Sequence, residues 1–411
     1  MVESWSLESK ILIKYCFVNI SNHSNFTEFV YTSSMSVPKI TQINFRPGFI
    51  DLGMGNPSFD LLPLELLHQS AEAYFTTSDP RYLQYGVEQG DGYFCRALAN
   101  FLTTAYGTRV DPDLLFVTAG ASSALDLLCT LYTLPGDMIF VEEPSYFLAL
   151  RIFEDHGLRV VPIPMDDEGL QFDALEEKLA EFRPKFVYII PAFQNPSGRT
   201  LSQARREKLV ERAQRYNFLV VADEAYQFLH YTQTPPGSFA SFAGDVEQVI
   251  SVNSFSKILA PGLRLGWIQA HSTVIKRLAG SGLLESGGGM NPYISALVRG
   301  LIESGELVKN IANLRMEYAR RLNVMNAALR QHLPTAVYTL PQGGFFFWVH
   351  LPGVDATELR RKAQGFKVDL RQGALFSSQM GMQDYVRLSF CFYGPEAIEE
   401  GIKRLRDCLG K

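Results

Sequence analysis

The alternation of short apolar runs with amphipathic segments is the feature that most limits the fold of this chain. Each run is four or five residues long, is bounded by turn residues and is as uniformly apolar as a strand buried on both faces. Segments with helical periodicity, such as Ser122–Tyr132, Phe172–Phe182 and Ser202–Tyr216, separate the runs. This order predicts an α/β fold with a mostly parallel sheet between two layers of helices. The runs are Leu114–Val117, Met138–Val141, Phe186–Ile190, Phe218–Ala222 and Val249–Val252.

The pattern changes after about Met290 and predicts a smaller α+β domain. Asn291–His332 has the spacing of one or two long helices with their charges facing outward. The elements predicted beyond it are strands at Phe345–His350 and Val386–Phe390 and helices at Ala356–Gly365 and Pro395–Leu409. We therefore divide the chain into an arm (1–45), a segment that contributes to the small domain and the active site (46–80), a large domain (81–290) and a connecting helix with the small domain (291–411).

Composition and charge restrict the class of partner. With 411 residues, of which 46% are hydrophobic, the chain is a globular protein too long for a single core. The net charge is −5 and no apolar run reaches the roughly 18 residues of a membrane span, so we expect neither a nucleic-acid nor a membrane partner. The five cysteines are scattered without a CxxC pair, which favours free thiols in the cytoplasm and argues against a zinc site.

Residues 1–45 fall outside this pattern. Lys10–Val18 is apolar but short, and Glu3 and Glu8 precede it, whereas a secretory signal begins with positive charge. We interpret 1–45 as a variable, partly disordered arm.

Polar residues follow several of the predicted strands, at the edge where open α/β sheets bind their ligands. Lys257 comes after Val249–Val252, between serines and apolar residues. Desolvation lowers the pKa of an amine and favours its attack on an aldehyde. A lone lysine is more often a solvated surface group, so a functional role for Lys257 is indicated only together with its neighbours.

The neighbours of Lys257 indicate an anion site. Arg264 lies seven positions further on, and a guanidinium can bind a phosphate bidentately, while Ser254 and Ser256 offer hydroxyls. The turn Gly120–Ser122 opens a helix whose first N–H groups also favour an anion. The alternatives are a structural ion pair for Arg264 and a simple helix cap for the serine.

Asp223 follows a strand that has no polar residue before it, so its carboxylate is expected to be buried and to need a cation. A protonated pyridine nitrogen is such a cation, and an arginine is the alternative. Asn195 and Tyr226 could donate to a phenolate oxygen on the same ring. A turn residue and a core tyrosine are the plainer interpretations of these two.

These motifs together resemble the fold-type I enzymes that use pyridoxal 5′-phosphate (PLP), specifically class I and II aminotransferases. The string S-F-S-K-x-x-x-P-G-L-R-L-G-W at Ser254–Trp267 is highly specific, and N-P-S-G (Asn195–Gly198) and D-E-A-Y (Asp223–Tyr226) precede it. The resemblance covers about residues 48–411 and is closest to the branch of 2-aminoadipate, kynurenine and aromatic aminotransferases. It implies a PLP-binding large domain with a mostly parallel, seven-stranded sheet, and a smaller α+β C-terminal domain.

The resemblance also implies roles for single residues. Lys257 would carry PLP as a Schiff base, and Asp223 would pair with the ring nitrogen. Asn195 and Tyr226 would contact the phenolate oxygen. The other implied contacts are Ala121, Ser122, Ser254, Ser256 and Arg264 with the phosphate, Tyr146 stacked on the ring, Tyr85 with the phosphate of a partner subunit, and Arg387, Asn195 and Gly55 with the substrate. Because Tyr85 would serve the other subunit, a homodimer with composite active sites is implied.

Two positions depart from the family pattern. The branch often has Gly-Ser-Gln-Gln where this chain has Gly120–Ser123, so one hydroxyl ligand of the phosphate is lost. Met54 stands where that branch often has glycine, which would reshape the substrate pocket.

The function implied is a ping-pong transaminase that moves an amino group from an L-amino acid to a 2-oxo acid. Since no arginine can be assigned to a second carboxylate, aromatic or large aliphatic donors are favoured over acidic ones, with an aminoadipate-like donor left open. One alternative is another fold-type I enzyme, namely a lyase, decarboxylase or C–C bond-forming enzyme. A regulatory DNA-binding protein built on this fold is a second alternative, although the arm lacks a helix-turn-helix pattern.

Overall fold

The computed structural model describes residues 40–43, 46–77 and 79–410. Apart from residues 40–43, the predicted arm (1–45) lies outside the described residues, and its disorder stays a prediction. The strands, in chain order, are β1 (Ile50–Asp51), β2 (Leu115–Thr118), β3 (Met138–Glu143), β4 (Arg159–Asp166), β5 (Gly169–Leu170), β6 (Phe186–Ile189), β7 (Leu219–Asp223), β8 (Val249–Ser254), β9 (Gly266–Ala270), β10 (Phe346–His350), β11 (Val368–Asp369), β12 (Arg371–Gln372) and β13 (Tyr385–Ser389).

Helices cover both faces of the main sheet and form most of the C-terminal part. The α-helices are α1 (Leu64–Thr77), α2 (Gly92–Tyr106), α3 (Ala121–Tyr132), α4 (Phe147–Asp155), α5 (Phe172–Glu181), α6 (Gln203–Tyr216), α7 (Ala240–Ala243), α8 (Ser272–Ala279), α9 (Gly282–Gly287), α10 (Pro292–Glu303), α11 (Glu306–His332), α12 (Ala356–Ala363) and α13 (Pro395–Cys408). Short 3₁₀ turns lie at Phe59–Leu61, Pro80–Leu83, Pro112–Leu114, Pro261–Leu263, Gln364–Phe366 and Gly373–Phe376.

The main sheet has the order β2-β9-β8-β7-β6-β3-β4-β5 in the described residues. The five strands from β8 to β4 pair in parallel, whereas β9 runs antiparallel to both of its neighbours and β5 is antiparallel to β4. The mostly parallel α/β architecture is therefore confirmed. The sheet has eight strands rather than the expected seven because the two residues of β5 add an edge strand.

The direction of the strands fixes where the site lies. Since β9 is antiparallel to both β2 and β8, strands β2, β6, β7 and β8 all run the same way. Their carboxyl ends, at Thr118, Ile189, Asp223 and Ser254, therefore meet at one edge of the sheet. The polar motifs that follow these strands in the sequence are brought together at this edge.

The C-terminal part has an antiparallel sheet, β10-β13-β12, and the long helix α11. The predicted helical stretch Asn291–His332 is divided in two by Gly305, which adopts φ +78° between α10 and α11. Helix α11 buries a continuous apolar stripe that includes Leu307, Ile311 and Leu314. The N-terminal strand β1 pairs in parallel with β11, so residues 50–51 belong to this C-terminal sheet region.

Candidate active site

Lys257 lies just beyond the end of β8 in a largely buried position. Its Nζ donates a hydrogen bond to the backbone oxygen of Gly55 at 3.1 Å and lies 5.5 Å from the centre of the Phe345 ring. Burial lowers the pKa of the Lys257 ammonium, the Arg387 guanidinium lowers it further, and Asp223 opposes both. The fraction of neutral, nucleophilic amine is therefore larger than in a solvated lysine.

Asp223 is the last residue of β7 and is 6% exposed. Its Oδ2 accepts a hydrogen bond from the hydroxyl of Tyr188 at 3.0 Å, and its Oδ1 accepts one from the backbone N–H of Ala225 at 3.3 Å. No cation forms a salt bridge with Asp223 within the described residues, so the arginine alternative is not observed. Burial raises the pKa of Asp223 to about 6, because the carboxylate lacks a close counter-charge.

The predicted phosphate ligands lie around the first turn of α3. Gly120 precedes this helix with φ +92°, and no side chain caps its N–H groups. The guanidinium of Arg264 donates to the backbone oxygens of Ala119 (3.0 Å) and Pro261 (3.2 Å), and it contacts no carboxylate in the described part of the chain. The ion-pair alternative for Arg264 is thus not observed, and both helix and guanidinium remain available to an anion.

The serines predicted to bind the phosphate differ in their settings. Ser254 is buried, and its hydroxyl lies 2.9 Å from that of Ser256. Ala121 is half-buried at the start of α3, whereas Ser122 is exposed and caps nothing. The hydroxyls of the two serines beside Lys257 therefore contact each other, and Ser122 lies on the solvent side of α3.

A substitution at Gly120 is predicted to weaken cofactor binding. A Cβ built on Gly120 would lie 2.8 Å from Nη2 of Arg264, and φ +92° strains any residue with a side chain. We expect Gly120→Ala to raise the dissociation constant of PLP about tenfold, which equals roughly 1.4 kcal/mol. Gly262→Ala is the matched control, since nothing lies within 4 Å of its Cβ position. Equilibrium dialysis of both variants gives the comparison, and equal affinities would contradict the assignment.

Arg387 projects from β13 into a buried position between two aromatic rings. Its guanidinium carbon lies 4.1 Å from the centre of Phe346 and 4.9 Å from that of Phe376. The guanidinium donates to Oδ1 of Asn195 at 2.9 Å and to the backbone oxygen of Gly53 at 2.7 Å. Its Nε has no hydrogen-bond partner among the described residues, and burial lowers the pKa of Arg387 to about 10. A buried guanidinium without a carboxylate is suited to bind one.

Three further predicted residues surround this cluster. Tyr226 is 5% exposed, and its hydroxyl makes no hydrogen bond with the described residues. Tyr146 is half-buried at the start of α4, and burial raises its pKa to about 12, with Asp223 and Arg387 as charged neighbours. Gly55 approaches so closely that a Cβ there would lie 2.9 Å from the Phe346 ring. The structure thus groups Asn195, Tyr226, Tyr146 and Gly55 with Lys257, Asp223 and Arg387.

Tyr85 lies apart from this cluster. Its side chain is 82% exposed, beside the bridge between Gly86 and Gly289. Within one chain it has no role at the site, so its predicted contact with a partner subunit stays a prediction.

The sequence analysis missed several residues that support the site. Tyr188 contacts Asp223, and Phe346 and Phe376 enclose Arg387. Glu142 and Glu224 are buried carboxylates at or beside strand ends. Tyr188 and Phe346 lie within strands, where aromatic residues are common, so their residue type alone does not predict a role at the site. Glu142 was recognisable, because a glutamate that ends the apolar run of β3 follows the same rule that pointed to Asp223.

Glu142 supports the segment that carries Asn195. Its Oε2 accepts from the backbone N–H of Ile190 at 2.9 Å and from the side chain of Gln194 at 3.3 Å. Burial raises the pKa of Glu142 to about 8, with Arg206 opposing. The carboxyl of Glu142 is therefore protonated in the folded protein at neutral pH, whereas in the unfolded chain it ionises near its ordinary pKa of 4.5.

Because Glu142 is protonated in the folded protein, we expect Glu142→Gln to change the stability by an amount that depends on pH. Because the folded pKa is raised, the stability from this group is complete below pH 4.5 and is lost as pH rises through about 8. Glutamine cannot ionise, so the stability of the variant relative to wild type should rise by about 3 kcal/mol as the pH rises from 6 to 9. Thermal unfolding across this range measures the gain. A difference in melting temperature that does not change with pH would show that Glu142 is ionised in the folded protein.

No cluster of histidine, cysteine, aspartate or glutamate with the arrangement of a metal site occurs among residues 40–43, 46–77 and 79–410. Over the same residues, no helix combines the length and the apolar character that crossing a membrane requires.

Known proteins with the same architecture identify the class. The sequence profile described as aminotransferase class I and II matches residues 47–405. An aromatic-amino-acid aminotransferase of Thermococcus litoralis is 34% identical over 88% of this chain and 88% of its own length. A 2-aminoadipate transaminase of Thermus thermophilus is 31% identical over 91% of this chain and 93% of its own length. The chain belongs to the class I and II aminotransferase family.

A solved structure agrees with this membership. The kynurenine aminotransferase of Pyrococcus horikoshii, solved in complex with PMP, superposes with a TM-score of 0.83 at 30% identity, over 99% of this chain and 95% of that one. The protein is accordingly a PLP-dependent aminotransferase of fold type I, as the resemblance implied.

Proposed function

We propose that this protein transfers the amino group of an aromatic or large aliphatic L-amino acid to a 2-oxo acid by a ping-pong mechanism. The observation that carries the proposal is the convergence of Lys257, Asp223 and Arg387 at the carboxyl edge of the sheet. These three side chains are an amine, a carboxylate without a salt-bridge partner and a guanidinium without a carboxylate. Together they match the groups that an amino acid and PLP require.

The donor set fits PLP on three observations. Asp223 is buried without a close cation, so a protonated ring nitrogen would supply the missing charge. Gly120 leaves the space that a Cβ would fill, beside Arg264 and the uncapped α3. Tyr226 is buried, and Tyr226 and Tyr146 both lie close enough to Asp223 and Arg387 to interact with their charges, so a hydroxyl and an aromatic ring are available beside the carboxylate. When bound, PLP supplies an electron-withdrawing ring that stabilises negative charge at the substrate Cα.

Each residue of the site would then have its own role in the reaction. Arg387 would bind the substrate α-carboxylate through its unpartnered Nε and the adjacent N–H groups. Asn195, which already contacts Arg387, would connect the carboxylate site with the cofactor ring. Lys257 would hold the cofactor and then move a proton between Cα and the C4′ carbon, since its lowered pKa suits a general base. Ala121, Ser122, Ser254, Ser256 and Arg264 would hold the phosphate.

The charges around the site favour a donor with an uncharged side chain. Arg371, the other arginine near Gly53, is held by Asp51 at 2.9 Å and by Asp369 at 3.3 Å. It is therefore already neutralised and does not offer a free cation to a second carboxylate. Phe346 and Phe376 supply apolar surface next to Arg387. The relatives named as aromatic and kynurenine aminotransferases support the same choice.

We further propose a homodimer in which Tyr85 completes the phosphate site of the partner. Apolar side chains near Tyr85 are unusually exposed, including Leu83 at 76%, Phe75 at 64% and Tyr93 at 61%. Exposed large apolar side chains that are grouped in the chain often mark an interface. Sedimentation at equilibrium should give twice the mass of the chain. We expect the protein to act in the cytoplasm, in keeping with the free thiols of the four described cysteines.

Single-turnover chemistry tests the reaction type. Holoenzyme mixed with phenylalanine, leucine or 2-aminoadipate, without an acceptor, should release one equivalent of 2-oxo acid per site and then stop. Adding pyruvate or 2-oxoglutarate should restart turnover. The expected order of kcat/KM is phenylalanine and leucine above 2-aminoadipate.

Two results would contradict this function. Continuous release of ammonia or carbon dioxide without an acceptor would indicate a lyase or a decarboxylase instead. A kcat/KM for 2-aminoadipate above that for phenylalanine would reject the proposed donor class.

A further inference from the structure

Tyr188 lies directly behind the proposed cofactor site. It is in the middle of β6, is fully buried and packs against Phe153, with 5.3 Å between the ring centres. Its hydroxyl has one hydrogen-bond partner in the described chain, which is Oδ2 of Asp223 at 3.0 Å on the neighbouring strand β7.

The tyrosine hydroxyl is unusual in this position. The strand faces around it are apolar, and phenylalanine occupies the equivalent place two residues earlier, at Phe186. Burying a hydroxyl without a partner is unfavourable, and here the partner is the carboxylate of Asp223. Among the described residues, Asp223 is the one side chain to which this hydroxyl donates a hydrogen bond, which points to a function exerted through that carboxylate.

The contact also determines how Asp223 can face a ligand. Oδ1 accepts from the backbone N–H of Ala225, and Oδ2 accepts from Tyr188. Each oxygen keeps a further lone pair, and the plane of the carboxylate is fixed by the two donors. A hydrogen bond from a hydroxyl favours the ionised form of the carboxylate, whereas burial opposes that form.

We propose that Tyr188 is a positioning residue that orients Asp223 and keeps it ionised for the ring nitrogen of PLP. The inference rests on the role of Asp223 in the proposed function. The charged and titratable groups that face this pair are Lys257, Glu224, Tyr146 and Glu142. The charge of Glu224 raises the pKa of Asp223, and the charge of Glu142 raises the pKa of Tyr188. Lys257 lowers the pKa of Asp223, and Tyr188 donates the direct hydrogen bond.

A double-mutant cycle on cofactor affinity tests this role without an activity assay. Apoprotein is titrated with PLP, and the dissociation constant is measured for wild type, Tyr188→Phe, Asp223→Asn and the double variant. A hydrogen bond to a charged group corresponds to a factor of about 10 or more. We expect Tyr188→Phe alone to raise the dissociation constant about tenfold. In the Asp223→Asn background, the same change should have less than a twofold effect.

A pH series adds a result that a packing defect would not produce. Loss of the donor raises the pKa of Asp223, so the decline of PLP affinity on acidification should begin at a higher pH in Tyr188→Phe than in wild type. Tyr318→Phe is the matched control, because Tyr318 is equally buried and its hydroxyl has no hydrogen-bond partner in the described part of the chain. The control should leave both the affinity and its pH dependence unchanged.

The outcomes separate the two claims. An equal effect of Tyr188→Phe in both backgrounds, or no effect in either, would overturn the positioning role while Asp223→Asn still weakens binding. If Asp223→Asn itself leaves PLP affinity unchanged, the proposed role of Asp223 fails, and the inference about Tyr188 fails with it.

Discussion

Alanine in place of Lys257 should reduce the rate of amino transfer by about 10³-fold or more. The amine has two tasks in the proposed function, since it holds the cofactor and moves the proton between Cα and C4′. Its lowered pKa and its position at the Gly55 oxygen serve both tasks. Lys257 is the lysine whose charge acts on Asp223.

The measurement is steady-state amino transfer at saturating PLP. Lys309→Ala is the control, because Lys309 is a solvent-exposed lysine of α11 paired with Glu306. The control should retain wild-type activity and the visible absorbance of the bound cofactor, and Lys257→Ala should lose both. Turnover of Lys257→Ala within tenfold of wild type would refute the catalytic assignment.

Lysine in place of Arg387 should lower kcat/KM for an amino acid about 100-fold. Lysine keeps the charge but lacks the planar fork that binds a carboxylate bidentately, and it cannot reproduce the bonds to Asn195 and Gly53. Losing a charge-assisted hydrogen bond of this kind amounts to about 1.5–3 kcal/mol. The sandwich between Phe346 and Phe376 also favours the flat guanidinium over an ammonium.

The specificity of this effect is measurable. With an arylalkylamine that lacks the carboxylate, the rate of the first half-reaction should be low in wild type and unchanged in Arg387→Lys. Arg361→Lys, at an exposed position of α12, should behave as wild type with both substrates. If Arg387→Lys slowed the amine and the amino acid equally, the residue would be structural rather than a carboxylate ligand.

Much of the fold follows from the sequence because buried parallel strands have a strong local pattern. The five apolar runs correspond to β2, β3, β6, β7 and β8, with boundaries that differ by one or two residues. Strands β4 and β9 were not predicted. Arg159–Asp166 has two prolines and charged ends, and Gly266–Ala270 begins inside the string Ser254–Trp267, whose residues indicate an anion site. In both cases pairing with neighbouring strands decides the structure, and such pairing is not a local property.

The site is predictable to the extent that it lies at strand ends. The rule that polar residues after parallel strands share one edge brought Asp223, Asn195 and Lys257 together. It could not supply Tyr188, which lies within a strand, or Phe376, which approaches from the other domain across 119 residues of chain from Lys257. It also could not place Tyr85, whose exposed side chain has its proposed function only in a second subunit.

The covalent bond between Lys257 and PLP is the claim on which the other assignments depend. Reducing the holoenzyme with borohydride, digesting it and sequencing the peptides by mass spectrometry tests it most directly. The phosphopyridoxyl group should be found on Lys257 and on no other lysine, and the Lys257→Ala variant should carry none. A label on a different lysine, or an equal label in Lys257→Ala, would contradict the account.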